Sequence, residues 1–599
     1  MAAASSRPAL SITLRLGGMR PWVAPVLLAA ALVLLPFVGN EFLAYQIGLF
    51  LLYGVAAQGV ALCWGRLGFL PLGHALFFGL GAYLSGGILK AAQADAVWYL
   101  LLPLAALAPA VLAWAVARLV FARSYHSGPY FSLITLALTM LGFLAANRFS
   151  SLTGGFNGMT EIPELPGLDR YGAMYWAVAA LALVSTTGLT VMLRRPIGTL
   201  WSAISQNEDR LQFFGFATDR MKALAFGLSA LCAAAAGVLF APHQGIVTPQ
   251  TVGFLLSTEL VIWAAVGGKA SPFGALLGAV LVGYASSELR DNFAYWEVVV
   301  AIAFMAVVRF LPDGIAGFVT RLLNRGPATS AQISAPVEAA PAIFPASRSS
   351  RAELAFDDVY SGASGIAIIN GLSLKLSGPG VRCLIGPNGA GKTSTFNTLT
   401  GRLPSQSGSI QFADQKVGRW AAWRVARLGI GRKFQIPSVF SQLDVRDNLA
   451  IALWANRLHG LQSLSNRPKQ WQTPLLQELL NLFPALRNSL DIPAGRLSQG
   501  DRQALEFVMM ALPEPRLMLL DEPCAGLSPG ETQRMMDAIK TVAQRLDAAA
   551  LVIEHDMSAV ERIADHVYVM HQGRLLAEGS LAQVQANEKV RAVYAGGHK

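Results

Sequence analysis

The sequence predicts a multi-domain chain: a polytopic α-helical membrane domain of about ten spans, then an α/β domain built around a phosphate-binding loop. Three observations predict it. Hydrophobic residues make up 53% and charged residues only 14% of the 599 positions, against about 25% charged in an average soluble domain. Apolar runs of membrane-crossing length fill roughly the first 320 residues and then stop. Finally, the stretch G-P-N-G-A-G-K-T, Gly386–Thr393, follows a short apolar segment, Val381–Ile385, and opens a helical pattern near Lys392, the context a phosphate loop needs. The length suits roughly two to four domains. The boundaries expected are 1–324 for the membrane domain, 325–350 for a linker and 351–599 for the nucleotide-binding domain.

In the membrane half, apolar runs lie near 22–38, 42–63, 75–89, 97–121, 129–147, 172–192, 222–241, 253–267, 271–287 and 295–311. A bilayer core needs about 17 to 25 apolar residues per helix. The regions 75–89 and 253–287 are short or glycine-rich, so a re-entrant or broken helix is expected there. The first run is read as a retained helix. Arg7, Arg15 and Arg20 precede it, but no small-residue cleavage site ends it.

Charge supports this count. The net charge of +11 does not imply a nucleic-acid partner, because the arginines sit in short loops between apolar runs, where they orient a membrane protein. Counting back from a cytoplasmic nucleotide-binding domain puts 194–221 inside, with Arg194, Arg195, Arg210 and Arg220, and also Arg118, Arg123 and the N-terminal arginines. The segment 148–170, with Glu161, Glu164 and Asp169, falls outside. Both termini are then cytoplasmic. The linker is rich in Ala, Pro and Ser, a composition for extended or disordered chain. The four cysteines (Cys63, Cys232, Cys383, Cys524) are scattered, with neither metal-ligand spacing nor a disulfide framework.

After the phosphate loop come L-S-Q-G-D from Leu497, L-M-L-L-D-E-P ending at Pro523, and I-E-H-D ending at Asp556. This ordered series resembles the ATPase domain of an ABC transporter. The resemblance implies ATP and Mg2+ as ligands. Gly386, Pro387, Asn388, Gly389, Ala390, Gly391, Lys392, Thr393 and Ser394 would cradle the phosphates, with Lys392 on the β- and γ-groups and the Thr393 hydroxyl on Mg2+. Asp521 and Gln435 would also serve the metal. Glu522 would be the general base, with His555 and Gln435 beside it as catalytic residues. Leu497, Ser498, Gln499, Gly500 and Asp501 would cap the nucleotide of a second subunit; Asp501 stands where the family usually has Gln. The family stacks adenine on an aromatic residue, for which Tyr360 is the nearest candidate.

The membrane half carries G-R-L-G-F-L-P-L-G-H-A-L-F-F-G-L-G-A-Y (Gly65–Tyr83), Y-F-S-L-I-T-L-A (Tyr130–Ala137), T-G-G-F-N-G (Thr153–Gly158) and G-G-K-A-S-P-F-G-A-L-L-G-A (Gly267–Ala279). These resemble the permease subunits of the hydrophobic amino acid uptake family of ABC importers, which includes branched-chain amino acid and urea or short-amide systems. Pro71 departs from that family's usual small polar residue. By the same resemblance Pro196–Thr218 is the coupling segment to an ATPase, with Gly198, Ile204, Glu208 and Leu211 as its candidate residues. Its apolar positions recur at near-helical intervals. His74 and Glu259, polar groups in apolar surroundings, are candidates for the translocation path or for plain structural pairing.

The resemblance implies ATP-driven uptake of a small solute across a bacterial inner membrane. Branched-chain or other hydrophobic amino acids are expected, with urea or a short amide as the alternative, toward which Gly429–Phe440 and Glu578–Tyr594 lean. A half-size exporter predicts about six long helices, and a tethered regulatory ATPase needs far fewer spans than ten; both fit less well. Partners expected are a second permease and a second ATPase subunit, or a second copy of the chain. A periplasmic solute-binding protein and membrane lipid are expected too, and no nucleic acid.

Overall fold

The computed structural model describes residues 23–123, 128–293, 295–311, 313–323, 337–341, 343, 353–363, 366–458, 462–465 and 470–595. Arg7, Arg15, Arg20 and most of the 325–350 linker lie outside them. The chain forms two compact units. One comprises Leu16–Ser205 and Thr218–Ala331; the other joins Gln206–Ala217 to Gln332–Lys599.

The first unit is helical, and a helix overlies each of the ten apolar runs. Among the described residues seven helices are long and apolar enough to cross a membrane: Glu41–Leu67, His74–Ala92, Ala96–Ala122, Gly128–Arg148, Met174–Leu193, Thr218–Gln244 and Pro272–Arg290. Pro25–Val38, Phe254–Gly267 and Trp296–Phe310 are shorter. At 14 residues, Phe254–Gly267 reaches only about 21 Å, less than a hydrocarbon core of about 30 Å. It ends at Gly268, whose φ of 125° turns the chain into the helix beginning at Pro272. The region 75–89, in contrast, lies in one continuous helix.

Helix contact here rests on missing side chains. A Cβ on Gly81 would lie 2.3 Å from the Ala234 carbonyl oxygen, and one on Gly237 would lie 1.9 Å from that of Phe78. The His74–Ala92 and Thr218–Gln244 helices therefore pack backbone to backbone. The outer helices expose apolar groups instead: Leu133, Leu141 and Leu144 of Gly128–Arg148 are each more than 60% accessible, a surface suited to lipid.

The second unit is α/β. Its main sheet has the strand order Arg574–Gly579, His566–His571, Gly380–Ile385, Ala549–Ile553, Leu517–Asp521, Ile430–Lys433. The first pair is antiparallel and the other pairings are parallel. Leu517–Asp521 and Ala549–Ile553 are buried at every residue, so they read as unbroken apolar runs rather than alternations. A four-stranded antiparallel sheet, Ile366–Ser377, Glu353–Ala363, Ser405–Phe412 and Gln415–Lys416, packs against it through Leu372, Leu374, Ile410 and Phe412.

Within the linker, Val337–Ala339 is a strand paired in parallel with Gln470–Gln472, and the Pro341 carbonyl accepts from Arg457 Nε at 3.1 Å. Composition could not reveal this, because three residues are too few to show a period of two.

Candidate nucleotide site

Register explains why the motifs meet. Asp521 pairs with Ile553, Leu384 with Ile553, and Lys433 with Leu520. Four neighbouring parallel strands thus end at one level, and each is followed by site residues: Gly386–Ser394, Glu522, Glu554–His555 and Phe434–Gln435. Open parallel sheets place ligand sites at this edge.

The phosphate loop turns through Gly389 and Gly391, at φ 80° and 99°, into the Lys392–Leu399 helix. Lys392 is 7% exposed, and its ammonium donates to the carbonyls of Gly386 and Pro387 at 2.8 and 3.0 Å. Burial lowers its pKa, while Glu522 and Asp521 pull it back up. The Thr393 hydroxyl lies 3.4 Å from Asp521 Oδ1. Burial raises the Asp521 pKa, and Arg432 opposes that. Two oxygens so arranged at the head of the loop suit a hard cation such as Mg2+.

Glu522 has φ 44° and stands between two partners. Gln435 Nε2 donates to its Oε2 at 2.9 Å, and His555 Nε2 lies 3.0 Å from its Oε1. The preceding Glu554 accepts from the N–H groups of Cys524 and His555, both at 3.3 Å. Burial pushes its pKa up to about 7.

Other expected residues stand apart. Ser498 caps the Gln499–Ala511 helix, accepting from the Asp501 N–H at 3.1 Å, while its hydroxyl donates to the Asp501 carboxylate at 2.7 Å. The Ser498 hydroxyl thus bonds the residue that replaces the usual Gln. Leu497 is buried, Gly500 lies against the Glu531 carboxylate, and Gln499 lies beside Gly526. Among the described residues no hydrogen bond joins Ser498 to Gly386–Ser394. Tyr360 sits in the antiparallel sheet, 37% exposed, with its hydroxyl beside Gly371.

The segment read as one coupling helix is two pieces. Asn207 breaks Pro196–Gln212 with φ −157° and ψ 88°. Gly198 and Ile204 belong to the helical unit, Glu208 and Leu211 to the ATPase unit. Asn207 donates to Ser438 Oγ at 2.9 Å, and its own Oδ1 accepts from the Arg210 N–H. Arg427 Nε donates to the Gly215 carbonyl at 2.8 Å, and Phe213 meets Phe434 edge-on.

In the helical unit His74 is fully buried, its ring edge against Phe226. Its Nε2 bonds Ser229 Oγ, which donates to the Gly59 carbonyl at 2.7 Å. Since that hydroxyl proton is spent, Nε2 carries the donor hydrogen. Glu259 is half-buried on Phe254–Gly267.

The sequence reading missed a buried ionic cluster. Arg210 Nη1 lies 3.4 Å from Glu506 Oε1 and donates to the Arg432 carbonyl at 2.7 Å. Lys433 Nζ lies 3.7 Å from Glu506 Oε2. The Phe434 N–H donates to Glu506 Oε1 at 3.2 Å. The side chains of Arg210, Lys433 and Glu506 are at most 1% exposed. The available signal was Glu506 itself, a lone carboxylate in the run Ala504–Leu512, which demands partners if buried. Arg432 ties its strand to the phosphate-loop helix, donating to Thr400 Oγ1 and Asn397 Oδ1, each at 2.7 Å. Burial pushes its pKa down to about 10.

Known proteins match both units. A family model described as "Branched-chain amino acid transport system / permease component" matches residues 42–308, and one described as "ABC transporter" matches 369–525. The chain is 34% identical over 237 residues to the high-affinity branched-chain amino acid transport ATP-binding protein LivG of Escherichia coli (strain K12), covering 39% of this chain and 93% of that protein. It is 34% identical over 242 residues to BraF of Pseudomonas aeruginosa, of the same description, again covering 39% and 93%. Among solved structures it aligns with a nucleotide-free ATP-binding cassette from an ABC transporter at 25% identity, covering 41% of this chain and 98% of that one, with a TM-score of 0.35. With permease-type helices in one unit and the phosphate-loop site in the other, the chain belongs to the ABC transporter family, carrying a permease domain and an ATP-binding domain on one polypeptide.

Proposed function

We propose that the chain is the fused permease and ATPase subunit of an importer that takes up branched-chain or other hydrophobic amino acids across a bacterial inner membrane. The observation that carries the ATP-driven mechanism is the Glu522 carboxylate bracketed by Gln435 and His555 at hydrogen-bond distance. So held, it can orient and deprotonate a water aimed at the γ-phosphate. Lys392 binds the phosphates once its ammonium exchanges the loop carbonyls for phosphate oxygens. The Thr393 hydroxyl, Asp521 and Gln435 would hold Mg2+, which when bound neutralises phosphate charge. His555 meets the γ-phosphate edge and fixes Glu522.

Substrate class rests on the permease match and on what the similar ATP-binding proteins are described as serving. A solute-binding protein, a second permease and a second ATPase complete the transporter, as the family implies; the second ATPase suits Ser498, which among the described residues makes no hydrogen bond to Gly386–Ser394. The ATPase domain and both termini are cytoplasmic, and lipid surrounds the helices.

The test is Glu522→Gln in the assembled transporter. ATP hydrolysis falls by about 10²–10⁴-fold while nucleotide binding persists, and ATP-dependent uptake of leucine stops. Uptake at the unaltered rate refutes the mechanism. Competition by urea or acetamide in place of leucine, isoleucine and valine moves the substrate to the amide class.

A further inference from the structure

We propose that Glu506 is a positioning residue through which the Gln206–Ala217 segment sets Gln435 against Glu522, with Arg210 as its removable partner and Lys433 as its resident one. This rests on the reading of the site as an ATP hydrolase and adds how the segment acts on it.

The geometry runs without a gap. Arg210 and the Phe434 N–H share one oxygen of Glu506. Phe434 precedes Gln435, which holds Glu522 at 2.9 Å. Glu506 also stands on the Gln499–Ala511 helix that Ser498 opens, so one carboxylate meets the segment, the Gln435 loop and the signature helix. Arg210 grips two of these elements at once, through the Arg432 carbonyl and the Glu506 carbonyl at 3.2 Å.

Charge makes the contact reversible from one side only. Arg210 and Lys433 bring two cations to one carboxylate. When Arg210 leaves, Glu506 keeps the Lys433 cation, so its buried charge is not stranded. When Glu506 is lost, two buried cations face each other with nothing between them. Breaking a buried pair is costly chiefly through the charge left behind. A purely structural ion pair would lack this asymmetry. Without Arg210 the Glu506 carboxylate turns toward Lys433, and the Phe434–Gln435 backbone is freed.

The test uses full-length protein in lipid nanodiscs, with ATP hydrolysis and melting temperature measured on Arg210→Met, Gln435→Ala and the double variant. Arg210→Met lowers kcat about tenfold with KM for ATP unchanged, and melting moves by no more than a few degrees. Arg210→Lys restores part of the rate. The double variant hydrolyses ATP no more slowly than Gln435→Ala alone, because both changes act through the same contact. Multiplying fold-losses in the double variant overturn the proposal. So does a fall in melting temperature for Arg210→Met as large as that for Glu506→Gln. These readouts need no transported solute. Absent leucine uptake by the unaltered protein therefore counts against the substrate reading alone, and an Arg210→Met rate equal to wild type counts against this one alone.

Discussion

His74 and Glu506 are both fully buried polar side chains, one in each unit, and the molecule supports them by opposite means. His74 has a single hydroxyl partner, Ser229, and no counter-charge among the described residues. Glu506 has two cations and a backbone N–H. An imidazole can be neutral and satisfied by neutral hydrogen bonds, whereas a guanidinium stays charged, and Arg210 meets a carboxylate. His74 is thus met by a neutral partner and Glu506 by an ion cluster.

The largest expected effect tests the charged side of this comparison. Glu506→Gln keeps the volume but strands Arg210 and Lys433, and should cost about 3–5 kcal/mol in denaturant unfolding of the ATPase unit. A loss below about 1 kcal/mol would mean the cations relax into water, and the contrast with His74 collapses.

Ser229→Ala tests the neutral side. It leaves a buried His74 donor without its acceptor and should cost about 1–3 kcal/mol, read as melting in detergent. Because no ion pair is involved, the loss should be the same in low and high salt. A strong salt dependence would reveal a charged imidazole.

Glu554 sharpens the comparison, since it is a carboxylate held by two backbone donors and, like the imidazole, by no ion pair among the described residues. Its pKa is raised from 4.5 to about 7. Between these values the native state holds more protons than the unfolded chain, so its contribution to stability falls as pH rises. Glu554→Gln removes that loss, at the cost of one hydrogen bond, because its single amide oxygen can accept from the Cys524 or the His555 N–H but not from both. The variant should gain on the order of 2 kcal/mol over wild type at pH 8 and much less at pH 5, measured by thermal melting across that range. An equal gain at both values would rule out ionisation as the cause.

Much of the nucleotide site was legible because its residues follow strands in fixed order. Gly386–Thr393, Asp521–Glu522 and His555 each sit one or two positions past an apolar run, and parallel register then brings them together. Arg210, Lys433 and Glu506 were not legible as a set, for they are separated by more than 70 positions and carry no motif. The hydrogen bond from the Ser498 hydroxyl to the Asp501 carboxylate was not legible either, since a three-residue spacing permits that contact without requiring it. The break at Asn207 likewise escaped a helical periodicity that continues through it.

The sequence by itself determined the two-part architecture, the ten helical runs and the phosphate loop, because burial in lipid and the backbone geometry of a glycine-rich turn both act on contiguous residues. Only the tertiary structure decided which distant charges share one buried carboxylate, that Gln206–Ala217 belongs to the ATPase unit, and that part of the linker pairs as a strand. Those outcomes depend on satisfying buried polar groups with whatever partner the fold brings within about 3–4 Å, and no local pattern encodes that partner.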